Sequence, residues 1–100
     1  MDIPSVSLAT EDILETYVRE VLCERDRLDA KQTTFHRTAI VRNGRHNGWL
    51  FHVKGPRMLR NSAIWPMSEN RILFYDSTGK RFQEVKLSEK PMERALKIAA

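Results

Sequence analysis

The spacing of apolar residues changes once along this 100-residue chain, and the change restricts the folds open to it. Between about Thr10 and Ala30, apolar side chains recur every three or four residues, which is typical of an amphipathic helix. These apolar positions are Ile13, Leu14, Tyr17, Val18, Val21, Leu22 and Leu28. From Thr33 onward, β-branched and aromatic residues alternate with polar ones, which indicates strands. The sequence therefore predicts one long N-terminal helix followed by a β-sheet.

Turn-forming residues divide the rest of the chain into strands. Asparagine, glycine, proline and serine residues interrupt the alternation at 43–48, 55–56, 66 and 77–79, which leaves predicted strands at 33–42, 49–54, 59–65, 71–76 and 80–87. Connections this short cannot contain crossover helices, so we expect neighbouring strands to be antiparallel. The predicted fold class is α+β, with the helix packed on an antiparallel β-meander of about four to five strands.

Two short elements are predicted at the ends of the chain. Val6 to Leu8 forms an edge strand before the helix, and Ser88 begins a short C-terminal helix that carries Met92 and Leu96. Residues 1–100 then make up a single α+β domain. Its element order, β-α-β-β-β-β, is similar to that of cystatin-like folds; the resemblance covers element order alone and implies no function.

Composition and simple motifs exclude several classes of protein. Cys23 is the single cysteine, so an intrachain disulfide or a cysteine-based zinc site cannot form within one copy. No apolar run approaches the ~18–20 residues that cross a bilayer, and the first residues lack the pattern of a signal peptide. We therefore expect a cytoplasmic protein without membrane contact. No motif indicates a cofactor or a metal.

The charges are distributed unevenly behind a modest net charge of +4. Residues 1–29 contain eight acidic and three basic residues, a net charge of −5. Residues 30–68 contain seven basic residues and no acidic one, whereas residues 69–100 contain seven basic and five acidic residues. An acidic helix is thus followed by a basic strand region. Such asymmetry is evidence about partners rather than about fold.

The acid-free stretch predicts a surface for an anionic partner, with nucleic acid as one possibility. The candidate binding residues are Arg37, Arg42, Arg45, Lys54, Arg57 and Arg60. Aromatic residues in the same stretch, among them Trp49, Phe51 and Trp65, could stack on bases. Strand alternation favours a different interpretation, in which Trp49 and Phe51 lie in the core on the face opposite Lys54. The basic strands could also pair with the acidic helix.

The three histidines suggest a second chemistry. His36, His46 and His52 are spaced ten and six apart, which matches no metal signature, although a hairpin could bring His36 and His52 onto neighbouring strands. Two histidines with Arg37 or Arg57 would then form the acid–base set of a small metal-independent ribonuclease. Because three histidines are ordinary in a chain of this length, we assign no catalytic residue.

Residues 75–80, with the sequence Tyr-Asp-Ser-Thr-Gly-Lys, superficially resemble two motifs. The upstream glycine and following serine or threonine of a phosphate-binding P-loop are missing. An aspartic protease loop has one residue fewer between its aspartate and glycine. A hairpin turn accounts for the segment, with Asp76 at its start and Gly79 at positive φ.

The sequence as a whole predicts a small non-enzymatic binding module whose basic strand region contacts an anionic partner. The first alternative is a protein-interaction or oligomerisation domain, for example an accessory subunit. In a homodimer of this kind, the acidic helix of one copy would face the basic strands of the other. The second alternative is the ribonuclease.

Overall fold

One helix lies against one face of a six-stranded sheet in the computed structural model, which describes residues 3–56 and 59–92. The elements are β1 (Ser5–Val6), α1 (Glu11–Arg25), β2 (Phe35–Arg42), β3 (Arg45–Lys54), β4 (Arg60–Pro66), β5 (Arg71–Tyr75) and β6 (Arg81–Leu87). The predicted α+β class is confirmed. Within the described residues, no helix has both the length and the apolar character needed to cross a membrane.

The sheet is mixed, with the strand order β1-β6-β5-β4-β3-β2. Strands β2 to β6 form the expected antiparallel meander, but β1 joins as a sixth strand, parallel to β6. The prediction of a purely antiparallel sheet of four to five strands was therefore wrong. Local sequence patterns indicate that a segment is extended, but the partner of β1 lies some 80 residues away and is chosen by packing.

The strand β3 begins earlier than predicted because the turn before it is short. Asn43 and Gly44 both have positive φ, 54° and 75°, so two residues suffice to join β2 to β3. Arg45 pairs directly with Arg42 across this turn. Residues 45–48, expected in a longer loop, are therefore part of β3.

Helix α1 ends at Arg25, five residues before the predicted end at Ala30. Its start is as expected, because the Thr10 side chain accepts a hydrogen bond from the backbone N–H of Ile13 at 3.2 Å. At the other end Arg27 has a φ of 55°, which breaks the helical path. Leu28 still packs against the core, and for that reason it fits the apolar spacing of the helix without belonging to it.

The buried side chain of Asn61 on β4 supports the end of this helix. Its amide nitrogen donates to the Leu22 carbonyl at 3.1 Å and to the Asp26 carboxylate at 2.7 Å. A carbonyl near a helix C-terminus lacks a partner within the helix, so this side chain supplies one. The asparagine links β4 to the point where α1 stops.

The two faces of the sheet differ in character, and we name them by their relation to α1. The helix face packs against Leu14, Val18 and Leu22 of the helix. Its buried residues are Phe51, Val53, Asn61, Ala63, Trp65, Ile72, Phe74, Val85 and Leu87. The open face carries the alternate residues of each strand. The predicted core position of Phe51, on the face opposite Lys54, is confirmed.

The predicted C-terminal helix falls mostly outside the described residues. Residues 88–92 are described and are not helical. Met92 instead forms an isolated parallel bridge with Thr10 at the start of α1, and its carbonyl accepts from the backbone N–H of Glu11 at 3.0 Å.

Candidate anion-binding surface

The six candidate cations occupy separate places in the structure. Arg37 lies on the helix face, where its Nη1 is 2.9 Å from Oε2 of Glu15 on α1. Its guanidinium also lies over the ring of Trp49, 4.4 Å from the ring centroid. Arg37 thus connects the basic strands to the acidic helix, which is the pairing that one interpretation of the charge pattern predicts. The Glu15 carboxylate compensates the charge of Arg37 locally.

Arg42 and Arg45 flank the turn between β2 and β3 and face each other across it. Both side chains are exposed. None of the salt bridges formed by described residues includes either of them. They lie at the far end of β3 from Lys54, about 30 Å away at ~3.3 Å per residue.

Lys54 and Arg60 lie directly opposite each other on β3 and β4, on the open face. Both are exposed, and no salt bridge among the described residues includes them. Like charges at directly opposed positions destabilise a sheet. Arg57, the remaining candidate, lies outside the described residues.

Two histidines lie next to this pair of cations. His36 and His52 face each other on β2 and β3, with stacked rings whose centroids are 4.6 Å apart. Nη2 of Arg60 is 3.2 Å from Nε2 and 3.3 Å from Nδ1 of His52. We call His36, His52, Lys54 and Arg60 the His–Arg cluster. The prediction that a hairpin brings His36 and His52 onto neighbouring strands is confirmed.

The surroundings of His52 disfavour its charged form. The side chain is only 7% exposed, and this burial is the largest cause that lowers its pKa below the ordinary value of 6.5. The neighbouring Arg60, His36 and Lys54 lower the pKa further, in that order. A neutral imidazole can accept a hydrogen bond from the guanidinium of Arg60.

The His–Arg cluster continues across the sheet as a polar row. Ser62 faces His52 on β4, and Tyr75 faces Ser62 on β5. Their hydroxyl groups add hydrogen-bond donors to the open face. Sequence reasoning missed Ser62 and Tyr75, and it missed the contact between Arg60 and His52, since all of these depend on the register between strands.

Two other cations on the open face, Arg71 and Arg81, have acidic partners. Arg71 faces Lys86, but Nη2 of Arg71 is 2.6 Å from the Glu69 carboxylate and its Nη1 is 3.5 Å from the Glu84 carboxylate. Arg81 also pairs with Glu84, at 3.4 Å. Arg42, Arg45 and Lys86 also lie on the open face without a salt bridge among the described residues, but only Lys54 and Arg60 combine directly opposed cations with two neighbouring histidines.

The large aromatic residues do not contribute to this surface. Phe51 and Trp65 are 1% and 3% exposed on the helix face. Phe35 stacks on Phe51, and Trp49 is covered by Arg37. The interpretation that these rings stack on bases was wrong, because strand alternation turns them towards α1.

The predicted turn at residues 76–79 is confirmed. Oδ1 of Asp76 accepts hydrogen bonds from the backbone N–H of Thr78 at 2.9 Å and of Lys80 at 3.1 Å, and Gly79 has a φ of 84°. The hydroxyl of Thr78 also donates to Asp76, and this side-chain hydrogen bond is the largest cause that lowers the pKa of Asp76. The aspartate is occupied in holding the turn.

The chemistry of the His–Arg cluster suits a phosphate group. The guanidinium of Arg60 and the ammonium of Lys54 donate charged hydrogen bonds, and each neutral imidazole carries one N–H donor. The described residues contain no group of three or more His, Cys, Asp or Glu side chains that could hold a metal ion.

Comparison with protein-family models, curated proteins and solved structures found no match.

Proposed function

We propose that this protein is a small binding module whose open sheet face contacts the phosphates of a nucleic acid through the His–Arg cluster. The proposal rests on one observation: Lys54 lies opposite Arg60, beside two histidines. Neither Lys54 nor Arg60 forms a salt bridge with any carboxylate of the described residues. Such a pair costs stability in the free protein. An anion bound between the two side chains removes their repulsion.

The composition of the face favours recognition of the backbone over recognition of bases. Single strands bind largely through stacking on aromatic side chains. The tryptophans and phenylalanines of the basic strand region lie on the helix face, and Tyr75 is the one aromatic ring of the polar row. Phosphate contacts position a protein on nucleic acid and carry no sequence information. We therefore expect binding to a duplex with little dependence on its sequence.

The arrangement of the histidines favours binding over ribonuclease activity. In-line displacement at phosphorus places the attacking and leaving oxygens on opposite sides, so the base and the acid must also approach from opposite sides. The His36 and His52 rings are stacked with centroids 4.6 Å apart, which leaves no room for a phosphate between them. Both imidazoles can approach a phosphate only from the same side.

The proposal is tested by measuring affinity for a double-stranded oligonucleotide against salt concentration, with fluorescence anisotropy. Removing one phosphate contact reduces the slope of log K against log salt by about 0.9. Replacing both cluster cations, Lys54→Gln with Arg60→Gln, should therefore reduce the slope by roughly 1.8. The matched control, Lys31→Gln with Lys80→Gln, removes the same charge from two exposed sites away from the cluster.

Two results would overturn the proposal. The first is an absence of binding at low salt, or binding that does not respond to salt. The second is an equal reduction of affinity and slope in the cluster variant and in the control, because that would trace binding to net charge alone. Retention of the slope by the control, together with a reduced slope in the cluster variant, supports the His–Arg cluster as the contact.

A further inference from the structure

The outer edge of β2 is unpaired among the described residues. β2 is the last strand of the sheet, and it bonds to β3 on one side only. It runs for eight residues, and residues 38–41 at its centre are uncharged. Val41 is 61% exposed, one of the few large apolar side chains that reach solvent. A long edge strand of this kind offers backbone N–H and C=O groups to another strand.

We propose that β2 pairs with β2 of a second copy of the chain, in an antiparallel dimer whose two-fold axis passes through Ala39. The two six-stranded sheets then form one continuous sheet. Closed two-fold dimers are the commonest assemblies of soluble proteins, and their contact surface must be complementary to itself. The sequence of β2 satisfies that condition.

Symmetry restricts the possible registers. Antiparallel neighbours are related by an axis perpendicular to the sheet, so the helix faces of both copies lie on the same side. Residues that oppose each other across a ladder share a face. Arg37, on the helix face, therefore cannot face Arg42, on the open face. With Ala39 on the axis, Arg37 faces Val41 of the second copy, and Thr38 faces Ile40.

Ala39 is the favoured centre because a residue on the axis meets its own copy. Alanine has the smallest side chain of the residues in this strand, and it is exposed here. The ladder then includes residues 36–42, which is nearly the whole of β2. Arg37 and Arg42 lie on either side of the uncharged centre, and neither opposes another arginine.

Charge also favours a second copy as the occupant. A groove of about 360 Å³ beside the first residue of β2 is lined by three acidic and two basic residues. The lining residues are Asp12, Glu15, Thr16, Arg19, Glu20, Ala30, Lys31 and Phe35. The other end of β2 leads into the turn with Arg42 and Arg45. Antiparallel pairing brings the basic turn of each copy towards this groove of the other, where the lining residues have a net charge of −1 and Glu15 already pairs with Arg37.

The dimer also completes the anion-binding surface, a step that rests on the proposed function. Arg42 of the second copy faces His36 on the open face, and so it lies beside the His–Arg cluster. Within one chain, the turn arginines and Lys54 are about 30 Å apart at the ordinary rise of a strand. Pairing through β2 brings both groups of candidate cations to one site. Anion binding at that site then stabilises the dimer.

Sedimentation velocity over a range of protein concentrations tests the interface. Ala39→Glu places two carboxylates opposite each other on the axis and should weaken dimerisation at least tenfold. Ile13→Glu is the matched control, because Ile13 is 48% exposed on α1 and its replacement introduces the same charge away from β2. An equimolar mixture of Ala39→Glu and Ala39→Lys should recover the dimer, since residue 39 faces itself only in this register.

Three results would overturn the interface: a monomer at all concentrations, equal dimerisation of Ala39→Glu and Ile13→Glu, or no recovery in the mixture. Oligonucleotide titrations separate this inference from the proposed function. A dimer that binds no nucleic acid overturns the function and supports the interface, whereas a monomer that binds does the reverse. If both hold, Arg42→Gln lowers affinity in the wild-type background and has no effect in the Ala39→Glu background.

Discussion

Replacing Lys54 with glutamate should stabilise the free protein while it abolishes anion binding. Lys54 lies directly opposite Arg60, and both side chains are exposed on the open face. Lys54→Glu turns a repulsive cross-strand pair into an attractive one. Most substitutions destabilise a protein, so a gain in stability would be specific evidence that the native pair is strained by like charge.

The expected gain follows from cross-strand pair energies. An opposite-charge pair contributes roughly 0.2–1 kcal/mol relative to a neutral pair, and the repulsion that the substitution removes has a similar size. Exposure to solvent and salt brings the sum down towards the lower end, to about 0.5–1 kcal/mol. For a domain of this size, 1 kcal/mol shifts the midpoint of thermal unfolding by about 4–8 °C. We therefore expect an increase of about 2–8 °C at low ionic strength.

Thermal unfolding followed by circular dichroism measures the gain. In about 1 M salt, where the screening length falls to about 3 Å, the difference from the wild type should largely vanish. Lys80→Glu serves as the control, because Lys80 is exposed in the turn after β5 and faces no strand residue. A Lys54→Glu protein no more stable than the wild type at low salt would refute the reasoning, as would a gain that salt leaves unchanged.

Two further predictions concern the same strands. Gly48→Ala should destabilise the fold by about 1–3 kcal/mol in urea unfolding, because an added Cβ would lie 2.5 Å from the Trp65 carbonyl oxygen and 3.2 Å from Cα of Pro66; an unchanged midpoint would contradict this. Lowering the pH from about 7.5 to about 5.5 should reduce stability, because the lowered pKa of His52 lets the unfolded chain bind a proton before the folded one does. Oligonucleotide affinity should rise over the same pH range, and a His52→Gln variant should lose both responses.

Strand alternation made much of this structure predictable from sequence. The positions of Trp49 and Phe51 relative to Lys54 follow from a period of two residues, which holds wherever a strand is regular. The helix cap at Thr10 and the turn at Asp76 were equally predictable from the sequence, because each depends on one side chain and its own neighbouring backbone. Predictions of this kind succeed because the responsible forces act over a few residues.

That His36 lies directly opposite His52 could not be predicted from the sequence, because it depends on the exact register between β2 and β3. Arg42 faces Arg45 across the turn, and continuing that register would place His36 opposite Phe51. A bulge leaves Asn47 without a partner on β2, so Ile40 faces Gly48 and His36 comes to face His52. One extra residue in β3 therefore creates the His–Arg cluster. Nothing in residues 43–48 distinguishes this bulge from an ordinary loop.

The same strand alternation determines which cations of the basic strand region can pair with the acidic helix. An acidic helix next to a basic sheet could cancel itself, and Arg37 shows how, because it lies on the helix face and reaches Glu15. Lys54 and Arg60 are equally basic but occupy open-face positions, on the side of the sheet away from α1. No acidic residue of the helix can reach them through the sheet. Compensation by the helix is thus limited to one face, which leaves the charge on the other face available to an external anion.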